Sequence, residues 1–404
     1  MALFSFGLGF YGLTVYVAML QRLHGWSASA VSAPITVYYV IGALLTAVIG
    51  SVYERVGPRV VVTAGSVAMA GGVAALGVVT RAWHLYLVFL VMALGWGAMS
   101  GAAINVIVAP WFERRRGLAV SLAFNGATLG GVIVTPSVMY LVEVLGFARA
   151  LVVAAVASIV IVGGVGIAIL RRGPDVIGLA PDGDRVAATH ATGTAPIDTR
   201  WRREALVTWR FWSVSAPFAL GLAAQVGVLT HLVPLVMPVL GAGGAARAVS
   251  TTTAAAVIGR LLTGVVVDRS SRRVIAAATL ALQLLGVAVL AGARSASAAY
   301  AGCALFGLGV GNLTTLPGLI LTAEWPRERF ATLVGLAVAI NQLTFAFGPS
   351  LVGLVRDWTS GYLAALSACA MLQAIGAVLV LLGPGERRPT ASESPTDPSR
   401  ARPA

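Results

Sequence analysis

Residues 50–59 read "GSVYERVGPR" and residues 264–273 read "GVVVDRSSRR". Each stretch opens on glycine (Gly50, Gly264) and places an acid fifth (Glu54, Asp268). Each has an arginine sixth (Arg55, Arg269) and another tenth (Arg59, Arg273). The offset between them is 214 residues. The same offset carries Trp111 onto Trp325 and brings Pro136 within one residue of Pro349. Three anchors at one offset argue for two homologous halves.

The surroundings of both stretches decide the solvent. Of 404 residues, 58% are hydrophobic and only 11% charged, and the mean hydropathy is +0.88. A soluble domain carries about 25% charged residues, so this chain cannot cover itself with polar surface and needs a bilayer. Apolar runs long enough to cross one recur along the whole chain. They predict helices over 2–20, 29–50, 60–79, 85–109, 117–142, 147–170, 211–236, 247–268, 274–292, 299–321, 331–355 and 360–382. Their length and lack of strict alternation exclude a β-barrel. The reading is an all-α membrane protein of twelve transmembrane helices in two six-helix pseudo-symmetric halves, 1–170 and 211–382. The run 2–20 is read as a span, because neither a basic leader nor a small-residue cleavage site is visible.

Arginine placement sets the expected orientation. All 28 basic residues are arginine, and the net charge is +13. With the N-terminus inside, 21 arginines fall in inner loops and tail, six in outer loops, and Arg260 in neither. That asymmetry predicts both termini in the cytoplasm, in the cytoplasmic (inner) membrane. Scattered in short clusters, the arginines do not make a nucleic-acid footprint. Eight of the nine tryptophans lie near proposed helix ends, as interfacial rings do; Trp96 is the exception. Residues 171–210 form the one long loop. In "DTRWRREALVTWR" (198–210), Trp201, Ala205, Leu206 and Trp209 share one helical face, which predicts a short helix on the inner membrane surface. The polar 383–404 tail is expected to be disordered. Cys303 and Cys369 sit in apolar runs and read as packed thiols.

Arg260 lies inside an apolar run, with no acid within seven residues on either side. An arginine at the bilayer centre costs ~2.5–3.5 kcal/mol on insertion scales, so it must face a partner or a wet cavity. No acid occupies the middle third of any proposed span. The substrate itself could supply the counter-anion. Two other readings stay open: packing against backbone carbonyls, or snorkelling toward Asp268. Further polar residues at depth could complete a cavity: Tyr38 and Tyr39, Asn125, Gln225, Asn312, Asn341 and Gln342. Each could equally be an interhelical hydrogen bond. His231, the only histidine in a span, could couple protons or simply pack. Pro234 and Pro238 predict a kinked or broken helix end there.

The loop Gly-x-x-x-acid-Arg-x-Gly-x-Arg, completed by Gly57, resembles the loop signature of the major facilitator superfamily over essentially the whole chain. Glu54, Pro58 and Ser271 depart from that pattern. The resemblance implies two parallel six-helix halves. It also implies that Gly50, Glu54, Arg55, Gly57, Arg59, Gly264, Asp268 and Arg269 set the balance between inward- and outward-open states. "WFERRRGLAVSLAFNGATLGGVIVTP" (111–136) and "RRGPDVIGLAPDGD" (171–184) look like the monocarboxylate and oxalate–formate branch. Porters of that branch place a carboxylate-binding arginine where Arg260 stands. The lysines those relatives carry in the first or eleventh helix are missing here, which suits one carboxylate better than two.

The expected function is a secondary transporter that moves a small organic anion, a monocarboxylate, by alternating access, coupled to protons or by exchange. A drug or metabolite exporter with a structural Arg260 is the alternative. No phosphate-binding loop, Ser-His-Asp set or metal cluster can be assembled, so no enzyme, cofactor or metal is expected. The expected partners are the small-molecule substrate and the bilayer, and the expected state is a monomer.

Overall fold

The computed structural model describes residues 1–108, 110–112, 115–170, 182, 206–267, 269–325 and 327–384. Asp268, nearly all of the 171–210 loop with its expected surface helix, and the tail after 384 lie outside the described residues. Every regular element among the described residues is helical. In chain order they are α1 (Ala2–His24), α2 (Ala28–Val56), α3 (Pro58–Leu76), α4 (His84–Val108), α5 (Leu118–Leu145) and α6 (Phe147–Ile169). Then come α7 (Trp209–Thr230), α8 (Leu232–Val266), α9 (Arg272–Ala291), α10 (Ala296–Val310), α11 (Leu316–Glu324), α12 (Leu333–Thr359) and α13 (Tyr362–Leu381).

Local chemistry explains the tight joints. Ser27 accepts a hydrogen bond from Ala30 N–H and so caps α2, satisfying one of the amides a helix start leaves open. Gly57, at φ 84°, ends α2 and passes directly to Pro58 in the first turn of α3. Proline is suited there, since its missing N–H would have no partner anyway. The departure at Pro58 is thus a helix start one residue after a reversal.

Among the described residues, ten helical stretches are long and apolar enough to cross a bilayer. Three expected spans, 211–236, 247–268 and 299–321, differ from what forms. The loop expected at 237–246 shrinks to one bend at Gly241 (φ 67°, ψ 179°) within Leu232–Val266, a conformation that only glycine adopts easily. A second interruption falls at His231 (φ −102°, ψ 8°), three residues before Pro234. The run expected as 299–321 is broken between Val310 and Leu316, with Pro317 in the first turn of α11. Proline has no N–H to continue the ladder.

Helix α2 packs on α4 and α12, α3 on α4 and α6, α9 on α10 and α13, and α8 on α10 and α5. Apolar side chains such as Leu87, Val160, Leu261, Leu262 and Leu381 face outward. That outer surface is the reverse of a soluble protein's, and the chain is an integral membrane protein. Arg55, Arg115 and Arg269 mark one end of the bundle, here the Arg-rich end. At the other end hydrogen bonds join 1–170 to 206–384. The Asp357 carboxylate accepts from Ala28 N–H at 3.1 Å and Ser29 N–H at 2.7 Å. Thr36 and Ser350 hydroxyls lie 2.6 Å apart, and Val233 N–H donates to Thr14 Oγ1 at 2.7 Å.

Candidate functional site: a central cavity at Arg260

Between the two parts lies a cavity of about 480 Å³. It extends from Tyr11, Tyr39 and Arg260 toward the Arg-rich end, reaching Thr46, Leu321 and Val334. Among the described residues lining it, Arg260 is the only charged one. The α10–α11 break makes its niche. A Cβ on Gly311 would lie 3.0 Å from Arg260 Nε and 3.1 Å from Nη2; the absence of a side chain there lets the guanidinium lie close against this backbone. Arg260 is partly buried, and its Nε is buried without a hydrogen-bond partner. No ion pair forms between Arg260 and a described carboxylate.

The other polar positions separate into two groups. Gln225, Asn341 and Gln342 line the cavity with Arg260, as does Tyr39. The Asn341 Oδ1 is buried without a partner. Gln225 Oε1 accepts from Gln283 Nε2 at 2.8 Å, and Gln283 Oε1 accepts from Gln373 Nε2 at 3.0 Å. This chain of amides joins α7, α9 and α13 and fixes the Gln225 head. Tyr38 does not line the cavity; its buried hydroxyl donates to Gly9 O at 2.8 Å. Asn312 sits behind Arg260, donating to Gly259 O at 3.4 Å and Leu308 O at 3.3 Å. Asn125 is exposed and faces a different groove, which α1, α3 and α6 also line. His231 is buried away from the cavity, with Nδ1 3.2 Å from Tyr362 Oη and Nε2 3.1 Å from Pro349 O.

The loop residues lie at the Arg-rich end. Glu54, Arg55, Arg59, Gly264 and Arg269 are exposed, Gly50 and Gly57 partly so. Glu54 and Arg55 make no ion pair with a described residue. Arg273, the tenth residue of the second copy, behaves otherwise. It is 3% exposed, and its Nε and Nη2 donate to Glu324 Oε1 and Oε2 at 2.6 and 2.8 Å. Its Nη1 donates to Val380 O at 2.8 Å. Arg210 lies 3.8 Å from the same carboxylate and 5.4 Å from the Trp325 ring centroid. The sequence reading did not find this cluster. The signal was available: Glu324 and Arg273 each stand at the end of an apolar run, where a partner is required.

Aromatic side chains form much of the remaining wall. The first turns of α1 contain a π-helical segment, Gly7–Tyr11. The wider turn brings Phe6, Phe10 and Tyr11 to the cavity together. Segments of this kind often occur at functional sites. Trp96 also faces this cavity, which explains why it alone stands away from the helix ends.

The sequence profile of the Major Facilitator Superfamily matches residues 1–349 and 245–403. The chain is 28% identical over 328 residues to monocarboxylate transporter 11 of Homo sapiens, covering 74% of this chain and 64% of that protein. It is 34% identical over 101 residues to a putative anionic 4-hydroxy-benzoate permease of Thauera aromatica, covering 25% of this chain and 61% of that protein. The chain thus spans just under two thirds of each of these relatives. In fold it resembles the nucleoside transporter NupG, with a TM-score of 0.72 at 13% identity over 94% of this chain and 96% of that one. It also resembles a bacterial homolog of the human lysosomal transporter Spinster in an inward-facing, unoccupied conformation. There the TM-score is 0.67 at 16% identity, over 94% and 93% of the two chains. With a profile match across the chain, an all-helical bundle and a cavity between its two parts, this protein belongs to the Major Facilitator Superfamily.

Proposed function

We propose that the chain is a secondary transporter of an organic anion, a monocarboxylate, and that Arg260 binds the carboxylate. One observation carries the reading: among the described residues, the only charged side chain lining the cavity is an arginine whose Nε has no partner. An arginine fork matches a carboxylate with two parallel hydrogen bonds. Gln225, Asn341 and Gln342 would supply the neighbouring polar contacts. The names of the relatives, a monocarboxylate transporter and an anionic permease, support the same chemistry. Residues 1–170 and 211–382 act as the two halves of an alternating-access cycle. The loops at 50–59 and 264–273 set its balance, and substrate moves with protons or by exchange. The Arg-rich end and both termini face the cytoplasm, as the arginine distribution favours.

Ligand stabilisation of the purified protein tests the anion. A bound ligand raises stability by mass action, about 2.7 kcal/mol at a hundred times Kd. Carboxylic acids are expected to raise the melting temperature and their methyl esters to leave it unchanged. Equal stabilisation by acid and ester would remove the carboxylate from the account.

A further inference from the structure

The wall opposite Arg260 carries information that the arginine does not. Seven of the 29 residues lining the cavity are aromatic, against 8% aromatic residues in the whole chain. Six of the seven come from α1, α2, α4 and α5, and the seventh, Phe345, from α12. The cation and three of the four lining amides come from α7, α8 and α12. The cavity is therefore two-sided, with charge and amides mainly on one side and rings mainly on the other.

The rings form a connected surface. Trp96 meets Phe6 edge-on at 5.0 Å between centroids and lies near-parallel to Phe10 at 6.3 Å. Phe10 meets Tyr11 at 5.1 Å and 86°, and Tyr39 meets Phe345 at 5.3 Å and 82°. The last pair joins the two parts of the chain. The position of Trp96 is built in: a Cβ on Gly42 would lie 2.6 Å from its Cδ1. Tryptophan in membrane proteins favours the interface, where its N–H meets water. At mid-span this indole instead faces a cavity. Tyr11 lines the same cavity as Arg260. A two-carbon acid held at Arg260 would leave most of this wall against water. A planar ring would cover it, and aromatic pairs gain from edge and offset-stacked geometry beyond the area they bury.

We infer that the substrate is an aromatic monocarboxylate, whose carboxylate meets Arg260 while its ring packs against Phe6, Phe10, Tyr39 and Trp96. This rests on the anion reading above and adds the class of the substrate's body. It also assigns Trp96 and Phe10 as specificity-determining residues.

The test is a binding series on the purified full chain with benzoate, cyclohexanecarboxylate, acetate and benzamide, read by calorimetry or thermal shift. The expected order is benzoate at least tenfold tighter than acetate and about threefold tighter than cyclohexanecarboxylate, with benzamide much weaker than benzoate. In Trp96→Leu and Phe10→Leu proteins the benzoate-to-acetate ratio should fall at least threefold. Benzoate and acetate binding alike, or a ratio unchanged in both variants, would overturn the ring inference and leave the anion reading standing. Benzamide binding as tightly as benzoate would overturn the anion reading, and this inference with it. No binding by any of the four would overturn both.

Discussion

At Arg260 the cost and the use of one side chain meet. A mid-span arginine is expensive, and here the α10–α11 break gives it room without giving it a counter-charge. That niche is narrow, so Gly311→Ala is a sharp probe. The added Cβ would stand 3.0 Å from Nε, displacing the guanidinium by a few tenths of an ångström. Acid binding should weaken severalfold while the protein still folds; unchanged affinity would mean the guanidinium's placement is unimportant. Glu324 is the opposite case, a buried carboxylate with its partners in place. Glu324→Ala leaves Arg273 buried and uncompensated, and breaking such a pair costs about 3–5 kcal/mol. A large drop in thermal stability is expected, and a melting temperature equal to the wild type's would contradict it. Arg260 was legible in the sequence because an isolated charge in an apolar run stands out locally. The Glu324–Arg273 pair was not, because its members are 51 residues apart and only the packing of α9 against α11 joins them. Asn125 shows the converse. Its depth in an apolar run was readable, but the direction it faces depends on how α5 rotates against its neighbours.

Among the elements, α2 shows how two parts of a chain can be held by a helix end. Its first amides are satisfied by Ser27 from its own chain segment and by Asp357 from α12. A carboxylate at a helix N-terminus also gains from the positive end of the helix dipole. Asp357→Asn keeps an acceptor but loses the charge, and capping changes are worth about 0.5–2 kcal/mol. The equilibrium should shift by roughly fivefold toward opening at that end. A thiol placed at Thr36 and read by its labelling rate would report this; a rate equal to that of the Asp357-containing parent would show that the contact does not hold the closed end. Most helices could be read from apolar runs, since bilayer thickness sets their length. Pro234 and Pro238 marked the interrupted region around His231 and Gly241, but the break between α10 and α11 was not read. Residues 311–315 read Gly-Asn-Leu-Thr-Thr, but strongly apolar residues flank them on both sides, so hydropathy averaged over a span's length sees one span. Gly311, Asn312 and Pro317 were the local hints that the hydrogen-bond ladder stops there. The bend at Gly241 was likewise expected as a loop, because nothing in hydropathy distinguishes a one-residue reversal from a short linker.

For the whole molecule, the 214-residue offset predicted two halves, the arginine asymmetry predicted their orientation, and the resemblance of the 50–59 loop to the superfamily's signature pointed to the family before any contact was known. Two homologous halves and a shared solvent leave few architectures. Orientation is testable directly: single cysteines at Arg22, Arg149 and Arg294 should react with an impermeant thiol reagent from outside, and those at Arg115 or Arg272 should not. Reversed labelling would invert the topology. The exposed Glu54 belongs to the loop proposed to set the balance between states rather than to the cavity. Glu54→Gln should slow transport while leaving substrate affinity within a few-fold; an affinity loss as large as that from changing Arg260 would place it in the binding site instead. The proposed transport depends on one cation serving one anion. Uptake of a radiolabelled aromatic acid into sealed proteoliposomes, compared between the wild type and a correctly inserted Arg260→Ala protein, tests this most directly. The account predicts saturable uptake by the wild type and its loss in Arg260→Ala, with Arg260→Lys retaining binding but transporting poorly, because lysine keeps the charge without the fork. Uptake of near-normal affinity and rate by the Arg260→Ala protein would contradict it.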